Sequence, residues 1–534
     1  MSETDDNQRN EHLKTDHLQD DIGERSVRGG VVQSIAQTTK TVVQLVSTLA
    51  LARLLTPEDF GLLGMIVSVT AFLEMFKDMG LSMATVQKDD ITHEQVSSLL
   101  WVNVGVSTLL MFITVGLAPV LAWFYQEPRL LEISLLFAGT FVLGGLSIQH
   151  EAILRRQMRF RDLALINVSA IVCGIGVAIW MAWAGFGYWA LVAERIISSG
   201  LQTLGVWWMC EWRPSKPAVS DGMKKLLAFG GNLTGHSILN YFARNLDDIL
   251  IGRYFGAQAI GLFRKAHELL RLPIKQLNRP ASTVAIPLLS RLSDDAERYR
   301  RTYRRILEKL LMVTMPLGAG MLAASDWLVY LILGEQWLDV VPIFIALGIG
   351  LLSRPVSNTT GWLFISQDRT DEMFRWSIVG STLSIISFLA GLPFGVLYVA
   401  AFYSVSGVLV RTPILLWWVG RDGPVRVRDF YVTALPQAIG GIGVALVLAG
   451  MRYGIGAFGP IRLGSEAGTP SVAIALAGVG ATALVMVVVH VSILAILPSG
   501  RRSLADVVEI IKILRRKSAP EERQDAFLEH DGDL

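Results

Sequence analysis

The chain has 534 residues, 52% of them hydrophobic, with a mean hydropathy of +0.45 and a net charge of +2. This balance lies well above that of a soluble protein and indicates an integral membrane protein. The two cysteines, Cys173 and Cys210, lie in or beside apolar segments, so we expect neither a disulfide nor a metal site.

Apolar windows long enough to cross a bilayer, about 20 residues each, recur along the chain. They predict an all-α polytopic membrane protein with about fourteen spans. The eighth span contains Pro273 and Pro280, and we expect it to be bent or broken. The predicted spans lie near 31–54, 59–80, 98–122, 131–150, 164–184, 187–209, 227–251, 258–289, 306–333, 338–365, 374–392, 395–419, 432–452 and 471–497.

Basic residues orient these spans. Loops after even-numbered spans contain arginine and lysine clusters, notably at 155–161, 213–225, 291–305 and 421–428, whereas loops after odd-numbered spans contain few. Because basic loops stay in the cytoplasm, both termini are predicted to be cytoplasmic. We expect the cluster at 291–305 to touch anionic lipid headgroups rather than nucleic acid.

An internal repeat accompanies this pattern. The stretch ARLLTPEDFGL at 52–62 is similar to GRYFGAQAIGL at 252–262, at equivalent places in the span order. Six spans per copy would relate the halves by an axis along the membrane normal, with two peripheral spans added. The predicted division is a disordered cytoplasmic N-terminal tail at 1–28, lobes at 29–212 (spans 1–6) and 213–425 (spans 7–12), spans 13–14 at 426–498, and a cytoplasmic C-terminal tail at 499–534.

The eighth span carries a stripe of charge: Arg264, Glu268, Arg271, Lys275 and Arg279 fall within about 80° of one helical face. An unpaired charge at mid-bilayer costs roughly 2.5–3.5 kcal/mol. The stripe therefore predicts a wet cavity that receives an anion, unless this helix lies at the cytoplasmic surface with its cations reaching water.

The opening span of each predicted lobe has a polar face. Span one carries Lys40 among amides, and span seven carries Asn240 and Arg244. Arg244 could also pair with Asp247 or Asp248 and only fix packing. The candidate site residues are the cations Lys40, Arg244, Arg264, Arg271, Lys275 and Arg279, the polar wall residues Gln33, Gln37, Gln44 and Asn240, and the possible coupling-ion residues Asp247, Asp248, Glu268 and Glu194.

The sequence contains no Walker A loop, dinucleotide glycine fingerprint or metal-ligand spacing, so we expect a transporter without a cofactor rather than an enzyme. A membrane polymerase or ligase acting on lipid-linked glycans stays an alternative. The largest predicted external loop, about 453–470, is Gly-rich with few charges, unlike a reactive loop.

The stretches LLTPEDFGLLGM (54–65), NLDDILIGRYFGAQAIGLF (245–263) and IPLLSRLSDDAERYRRTYRR (286–305) resemble the polysaccharide-transporter family. These are the Wzx-type flippases, in the superfamily that includes MATE exporters and MurJ, and the second and third stretches are typical of the colanic-acid type. The resemblance implies two six-helix lobes around a cavity.

The resemblance also implies a function: the alternating-access movement of undecaprenyl-diphosphate-linked oligosaccharides across the bacterial inner membrane. The implied partners are this lipid-linked oligosaccharide, the lipid bilayer and the polysaccharide polymerase and export machinery, with no nucleic acid. A MATE-like antiporter of small molecules is the runner-up. Its cationic cargo would suit an acidic cavity rather than a basic one.

Overall fold

The computed structural model describes residues 22–78, 80–88, 91–216, 223–454, 472–497, 500–501 and 503–506. Side chains are described from residue 28 in the first helix and from residue 245 in the eighth. Within these ranges the chain is almost entirely helical and contains no strand. The helices are α1 (Ile22–Leu54), α2 (Pro57–Asp78), α3 (Leu81–Gln87), α4 (His93–Tyr125), α5 (Arg129–Arg156), α6 (Phe160–Trp183), α7 (Trp189–Met209), α8 (Met223–Ser290), α9 (Ala296–Ala323), α10 (Ser325–Ile332), α11 (Val340–Gly348), α12 (Arg354–Ser366), α13 (Thr370–Gly391), α14 (Val396–Ser406), α15 (Thr412–Arg421), α16 (Val427–Ala449) and α17 (Val472–Ile496).

Every predicted span falls on one or more of these helices, which confirms the all-α membrane architecture. Among the described residues, nine helical segments are long and apolar enough to cross a membrane, and α11 with α12, bent by 45°, makes a tenth. The helices α1, α7 and α8 are not among them. The predicted number of about fourteen spans is therefore not confirmed.

The longest helix, α8, contains predicted spans seven and eight. Its one residue with non-helical backbone angles is Gly256, with φ 81° and ψ −175°. Glycine adopts this conformation without the steric cost that a Cβ would add. The interruption thus lies at Gly256 and not at Pro273 or Pro280, where the backbone angles stay helical.

The chain divides into two compact units. The N-terminal unit comprises Met1–Lys265 and Ile332–Trp337, and the C-terminal unit comprises Ala266–Leu331 and Leu338–Leu534. The boundary thus lies within α8, whereas the sequence placed the boundary between repeat halves at 212/213. The two compact units are defined by spatial packing, whereas the predicted lobes are defined by the sequence repeat. One division does not test the other, so the lobes stay a prediction.

In the N-terminal unit α4 packs against α5, and α5 packs against α7, with a core that includes the buried residues Leu99, Ile153 and Trp212. Local chemistry sets the helix starts: the Thr92 side chain accepts from the Gln95 amide in a capping box. At the C-terminal end of α1, the Trp337 indole nitrogen donates to the Ala52 carbonyl at 2.7 Å. This bond satisfies one of the carbonyls that every helix end leaves without an intrahelical partner.

The C-terminal unit has its main core around α9, where Tyr299 and Tyr303 are fully buried. The Tyr303 hydroxyl pairs with Thr359 at 2.7 Å, which satisfies a polar group inside an apolar cluster. Beside this core, Arg300 donates two hydrogen bonds of 2.6 Å to the Asp429 carboxylate. This fork ties α9 to the start of α16.

Candidate anion-binding site

The second part of α8 separates an apolar face from a charged one. Leu270 and Ile274 are buried, whereas Arg271, Lys275 and Arg279 are exposed. Among the described residues, these three cations form no ion pair within 4.0 Å. The predicted stripe therefore exists as an exposed row of positive charge, and Glu268 is exposed beside it.

Arg264 differs from the rest of the stripe because it lies in the N-terminal unit and has an acidic partner. Its guanidinium is 3.3 Å from the Asp248 carboxylate. The same nitrogen, Nη1, donates to the Gly64 carbonyl at 2.9 Å and to the Ser68 hydroxyl at 3.3 Å. Arg264 is thus neutralised and holds α8 against α2.

Three arginines from different helices of the C-terminal unit form what we call the arginine cluster: Arg271, Arg354 and Arg411. Arg354 lies close enough to the other two to repel them electrostatically. Arg271 comes from α8, Arg354 begins α12, and Arg411 ends the π-helical segment Gly407–Arg411 between α14 and α15. Such π segments are often found at functional sites.

Within the described parts of the chain, the hydrogen-bond partners of Arg354 and Arg411 are neutral. Arg354 donates to His267 Nε2 at 3.1 Å, which requires an imidazole without a proton on that nitrogen. Arg411 donates to the Ser384 hydroxyl at 2.7 Å and lies 4.0 Å from the centre of the Tyr403 ring. Neutral acceptors leave the positive charge of the cluster uncompensated.

One donor of this cluster has no partner. Arg411 Nε is buried and makes no hydrogen bond within the described parts of the chain. A buried donor without an acceptor costs roughly 1–3 kcal/mol, more for a charged group. An anionic oxygen would remove this cost and would also relieve the repulsion between the arginines. The cluster is therefore chemically suited to a phosphate or carboxylate ligand.

Sequence reasoning did not single out Arg354 and Arg411. A signal was present, because each arginine lies inside a predicted span, at 338–365 and 395–419. Ionisable residues inside membrane spans mark functional sites more often than not.

The other predicted site residues discussed below belong to the N-terminal unit. Lys40 is half-buried on α1, and Gln33, Gln37 and Gln44 are exposed on the same helix, all in the N-terminal unit. Asp247 is buried next to Asp248. Glu194 is half-buried on α7, and the adjacent Arg195 pairs instead with Glu74 at 3.0 Å. The side chains of Asn240 and Arg244 lie outside the described residues. The structure thus brings Arg271 together with two arginines that the sequence analysis missed.

Comparison with known proteins identifies the family. Residues 50–342, more than half of the chain, match the family model described as polysaccharide biosynthesis protein. The chain belongs to this family. It is 29% identical over 394 residues to the teichuronic acid biosynthesis protein TuaB of Bacillus subtilis (strain 168), a match covering 73% of this chain and 81% of TuaB.

A second relative carries the Wzx name that the sequence analysis expected. The chain is 25% identical over 376 residues to the lipopolysaccharide biosynthesis protein WzxC of Escherichia coli (strain K12), covering 69% of this chain and 76% of WzxC. The predicted resemblance to the Wzx-type family is confirmed.

A solved structure shows the fold. The structure is similar to the lipid II flippase MurJ in an inward closed conformation, with a TM-score of 0.65. Sequence identity is 16%, and the match covers 86% of this chain and 98% of MurJ. At this identity the likeness concerns the fold alone, and it confirms the MurJ-like fold class predicted from the sequence.

Proposed function

We propose that this protein is a flippase of the bacterial inner membrane. It moves undecaprenyl-diphosphate-linked oligosaccharide units from the cytoplasmic to the periplasmic leaflet by alternating access, for exopolysaccharide or lipopolysaccharide synthesis. Family membership, the names of TuaB and WzxC, and the fold shared with MurJ support this proposal. The structural observation that carries it is the arginine cluster with neutral partners.

A diphosphate diester carries one negative charge on each phosphate group. Guanidinium forks bind phosphate oxygens through paired, charge-assisted hydrogen bonds, which are stronger than bonds between neutral groups. Arg354 offers such donors and interacts electrostatically with both Arg271 and Arg411. These hydrogen bonds would replace the hydration that the headgroup loses when it leaves the membrane surface.

The remaining predicted residues have secondary roles in this proposal. The exposed cations Lys275 and Arg279 extend the positive row along α8 and would attract the headgroup toward the cluster. Lys40 and the exposed amides Gln33, Gln37 and Gln44 would hydrogen-bond the sugars. The prenyl tail would stay in lipid, so the protein needs to shield only the polar part of its substrate.

The orientation is part of the proposal. The distribution of basic loops supports an orientation with both termini in the cytoplasm. Substrate would then enter from the cytoplasmic leaflet, where lipid-linked units are assembled, and would leave toward the polymerase and export machinery. The energy source would be an ion gradient, for which Asp247, Asp248, Glu268 and Glu194 stay candidate residues.

A MATE-like antiporter of cationic small molecules fits the site poorly, because three clustered arginines repel a cation. A membrane polymerase or ligase would extend or transfer lipid-linked glycan when purified alone. The flippase proposal expects no such product from the purified protein.

The test is complementation of a deletion strain. The native gene is expected to restore surface polysaccharide and to clear accumulated lipid-linked oligosaccharide. Arg271→Ala and Lys275→Ala should weaken both effects, and Arg298→Gln, which removes an exposed arginine at the start of α9, is the matched control. Full export by both test variants at normal protein levels would remove Arg271 and Lys275 from the site. A deletion strain without accumulated lipid-linked glycan would contradict the function itself.

A further inference from the structure

A histidine provides one of the neutral acceptors in the arginine cluster. His267 lies on α8, one turn before Arg271, and its Nε2 accepts a hydrogen bond of 3.1 Å from Arg354. An arginine side chain only donates hydrogen bonds, so this nitrogen must offer its lone pair. The imidazole ring of His267 is therefore neutral in this arrangement.

The surroundings of His267 oppose a positive charge on its ring. Arg354 interacts electrostatically with Arg271 and Arg411, so the histidine is bonded to one member of a group of three guanidinium ions. Like charges nearby disfavour the charged form of a titratable group. A proton on Nε2 would also replace the hydrogen bond to Arg354 with repulsion between two cations.

Other titratable groups lie close to this pair. Tyr403, on α14, interacts with Arg354. Glu268 follows His267 on α8, but successive side chains of a helix point about 100° apart, and Glu268 is exposed. Histidine is the side chain whose titration ordinarily falls between about pH 5 and pH 8. His267 is therefore the residue of this group that is suited to exchange a proton near neutral pH.

An anionic ligand would reverse the conditions around His267. A diphosphate diester brings two negative charges to the arginines, and negative charge nearby favours the protonated form of an imidazole. A phosphate oxygen would also accept from Arg354, which would release the Nε2 lone pair of His267. The protonated ring would then donate a hydrogen bond to the anion instead of accepting one from the arginine.

We propose that His267 takes up a proton when the arginine cluster binds its anion, so that headgroup and proton occupy the C-terminal unit together. The proposal rests on the proposed flippase function and adds a proton-binding residue to the same site. The proton comes from the solvent and binds the Nε2 lone pair that Arg354 gives up. No covalent bond of the anion changes.

Thermodynamic linkage gives the direction of the pH dependence. Because the anion favours binding of the proton, the proton favours binding of the anion by the same factor. The affinity for the anion is therefore higher at low pH and falls as the pH rises. An average uptake of about half a proton across two pH units predicts that the affinity falls about tenfold between pH 6 and pH 8.

The test is calorimetric titration of the full-length protein in detergent. The probe is farnesyl-diphospho-N-acetylglucosamine, a diphosphate diester whose phosphate groups keep one negative charge each in this pH range. Titrations in buffers of low and high ionisation enthalpy give the number of protons taken up for each probe molecule bound. We expect the native protein to take up about half a proton per probe near pH 7 and to bind about tenfold more weakly at pH 8 than at pH 6.

His267→Gln keeps an acceptor for Arg354, because the glutamine side-chain oxygen accepts hydrogen bonds without binding a proton in this range. This variant should bind the probe without proton uptake and with equal affinity at pH 6 and pH 8. His490→Gln is the matched control, since it makes the same exchange elsewhere in the C-terminal unit, where the ring lies against Gly440 of α16. It should keep the native proton uptake.

Probe binding by the native protein without proton uptake would overturn the proposal, and this measurement needs no variant to fold. An absence of probe binding would overturn it as well, because no anion would then bring a proton. Native proton uptake by His267→Gln would assign the proton to another group. Glu268→Gln identifies that group as the neighbouring carboxylate if it abolishes the uptake instead.

The deletion strain tests the flippase function separately from the proton. If the native gene clears accumulated lipid-linked oligosaccharide but probe binding takes up no proton, the proposal about His267 fails and the flippase function stands. If the deletion strain accumulates no lipid-linked glycan, the flippase function fails, whereas proton uptake that is lost in His267→Gln would still support the proton-binding residue.

Discussion

Arg264 and Arg271 lie on the same helix, α8, but differ in the charge of the groups around them. Arg264, in the N-terminal unit, has an acidic partner in Asp248 and holds two helices together. Arg271, two turns later, belongs to a cluster in the C-terminal unit whose other members, Arg354 and Arg411, bond to neutral groups among the residues that the structure describes. A paired charge stabilises structure, whereas uncompensated charge near a buried, unpartnered donor is poised for a ligand. Position on one stripe did not reveal this difference.

The largest expected effect comes from removing charge from the cluster. Arg354→Gln should reduce export roughly 10- to 100-fold, because a hydrogen bond to a charged group contributes about 1.5–3 kcal/mol. Arg354→Lys keeps the positive charge but lacks the paired guanidinium donors, so its export should lie between that of the native protein and that of Arg354→Gln. Surface polysaccharide and lipid-linked intermediate, measured at equal protein levels, check this.

Arg298→Gln again serves as the control, since its side chain is exposed outside the cluster. The comparison also predicts that Arg354→Gln leaves thermal stability unchanged or slightly raised, because it removes repulsion from two neighbouring arginines. Native export by Arg354→Gln would mean that the cluster binds no cargo.

Removing the acidic partner of Arg264 should chiefly affect the stability of the protein. Asp248→Asn is expected to lower the free energy of unfolding by about 1–2 kcal/mol, less than for a fully buried pair because the Arg264 side chain is 34% exposed. Thermal unfolding in detergent measures the loss. Adding Arg264→Gln should recover part of it, and a double-mutant cycle without coupling would show that the ion pair contributes nothing.

The Arg300–Asp429 pair of the C-terminal unit tests whether arginines with an acidic partner have a structural role in general. Asp429→Asn removes the carboxylate that accepts two bonds from Arg300, and it should cost about 1 kcal/mol because Arg300 is 39% exposed. Export per folded molecule should stay at the native level. A loss of export at native stability would instead place Arg300 in the transport path.

The sequence predicted the helices better than the site. Hydropathy predicted an all-helical membrane protein correctly, because crossing a bilayer demands an apolar helix whatever it packs against, but the number of spans stays unconfirmed. The repeat at 52–62 and 252–262 was also visible. A Cβ on Gly61 would lie 1.7 Å from the Ala257 carbonyl oxygen and one on Gly261 1.9 Å from the Pro57 carbonyl oxygen, which explains why glycine occupies the same place in both copies. Pro273 and Pro280 do not break α8, because a proline removes one backbone hydrogen bond without necessarily ending a helix, and a bend at these residues stays a prediction.

Helical periodicity could group Arg264 with Arg271 but could not show that one of them is neutralised. Asp248, Gly64 and Ser68 approach Arg264 through tertiary contacts that no spacing on one helix encodes. Arg354 and Arg411 are separated from Arg271 by long stretches of chain, so their convergence is likewise a property of packing. Asking which spans contain an isolated arginine would have found both.

The smallest expected effect comes from displacing one cation of the cluster without removing it. An ideal Cβ on Gly407 would lie 2.9 Å from Arg411 Nη2, the mobile end of that side chain. Gly407→Ala should therefore shift the guanidinium by a few tenths of an ångström and lower export about two- to fivefold, equivalent to roughly 0.5–1 kcal/mol.

Gly361→Ala, on α12 with nothing within 4 Å, introduces the same methyl group into a helix without touching the cluster and should leave export unchanged. Any gain in helix propensity is common to both variants, so their difference isolates the position of Arg411. Equal export by the two variants would indicate that the cluster tolerates displacement of Arg411, as expected of an electrostatic field acting at a distance rather than of a hydrogen-bonded ligand site.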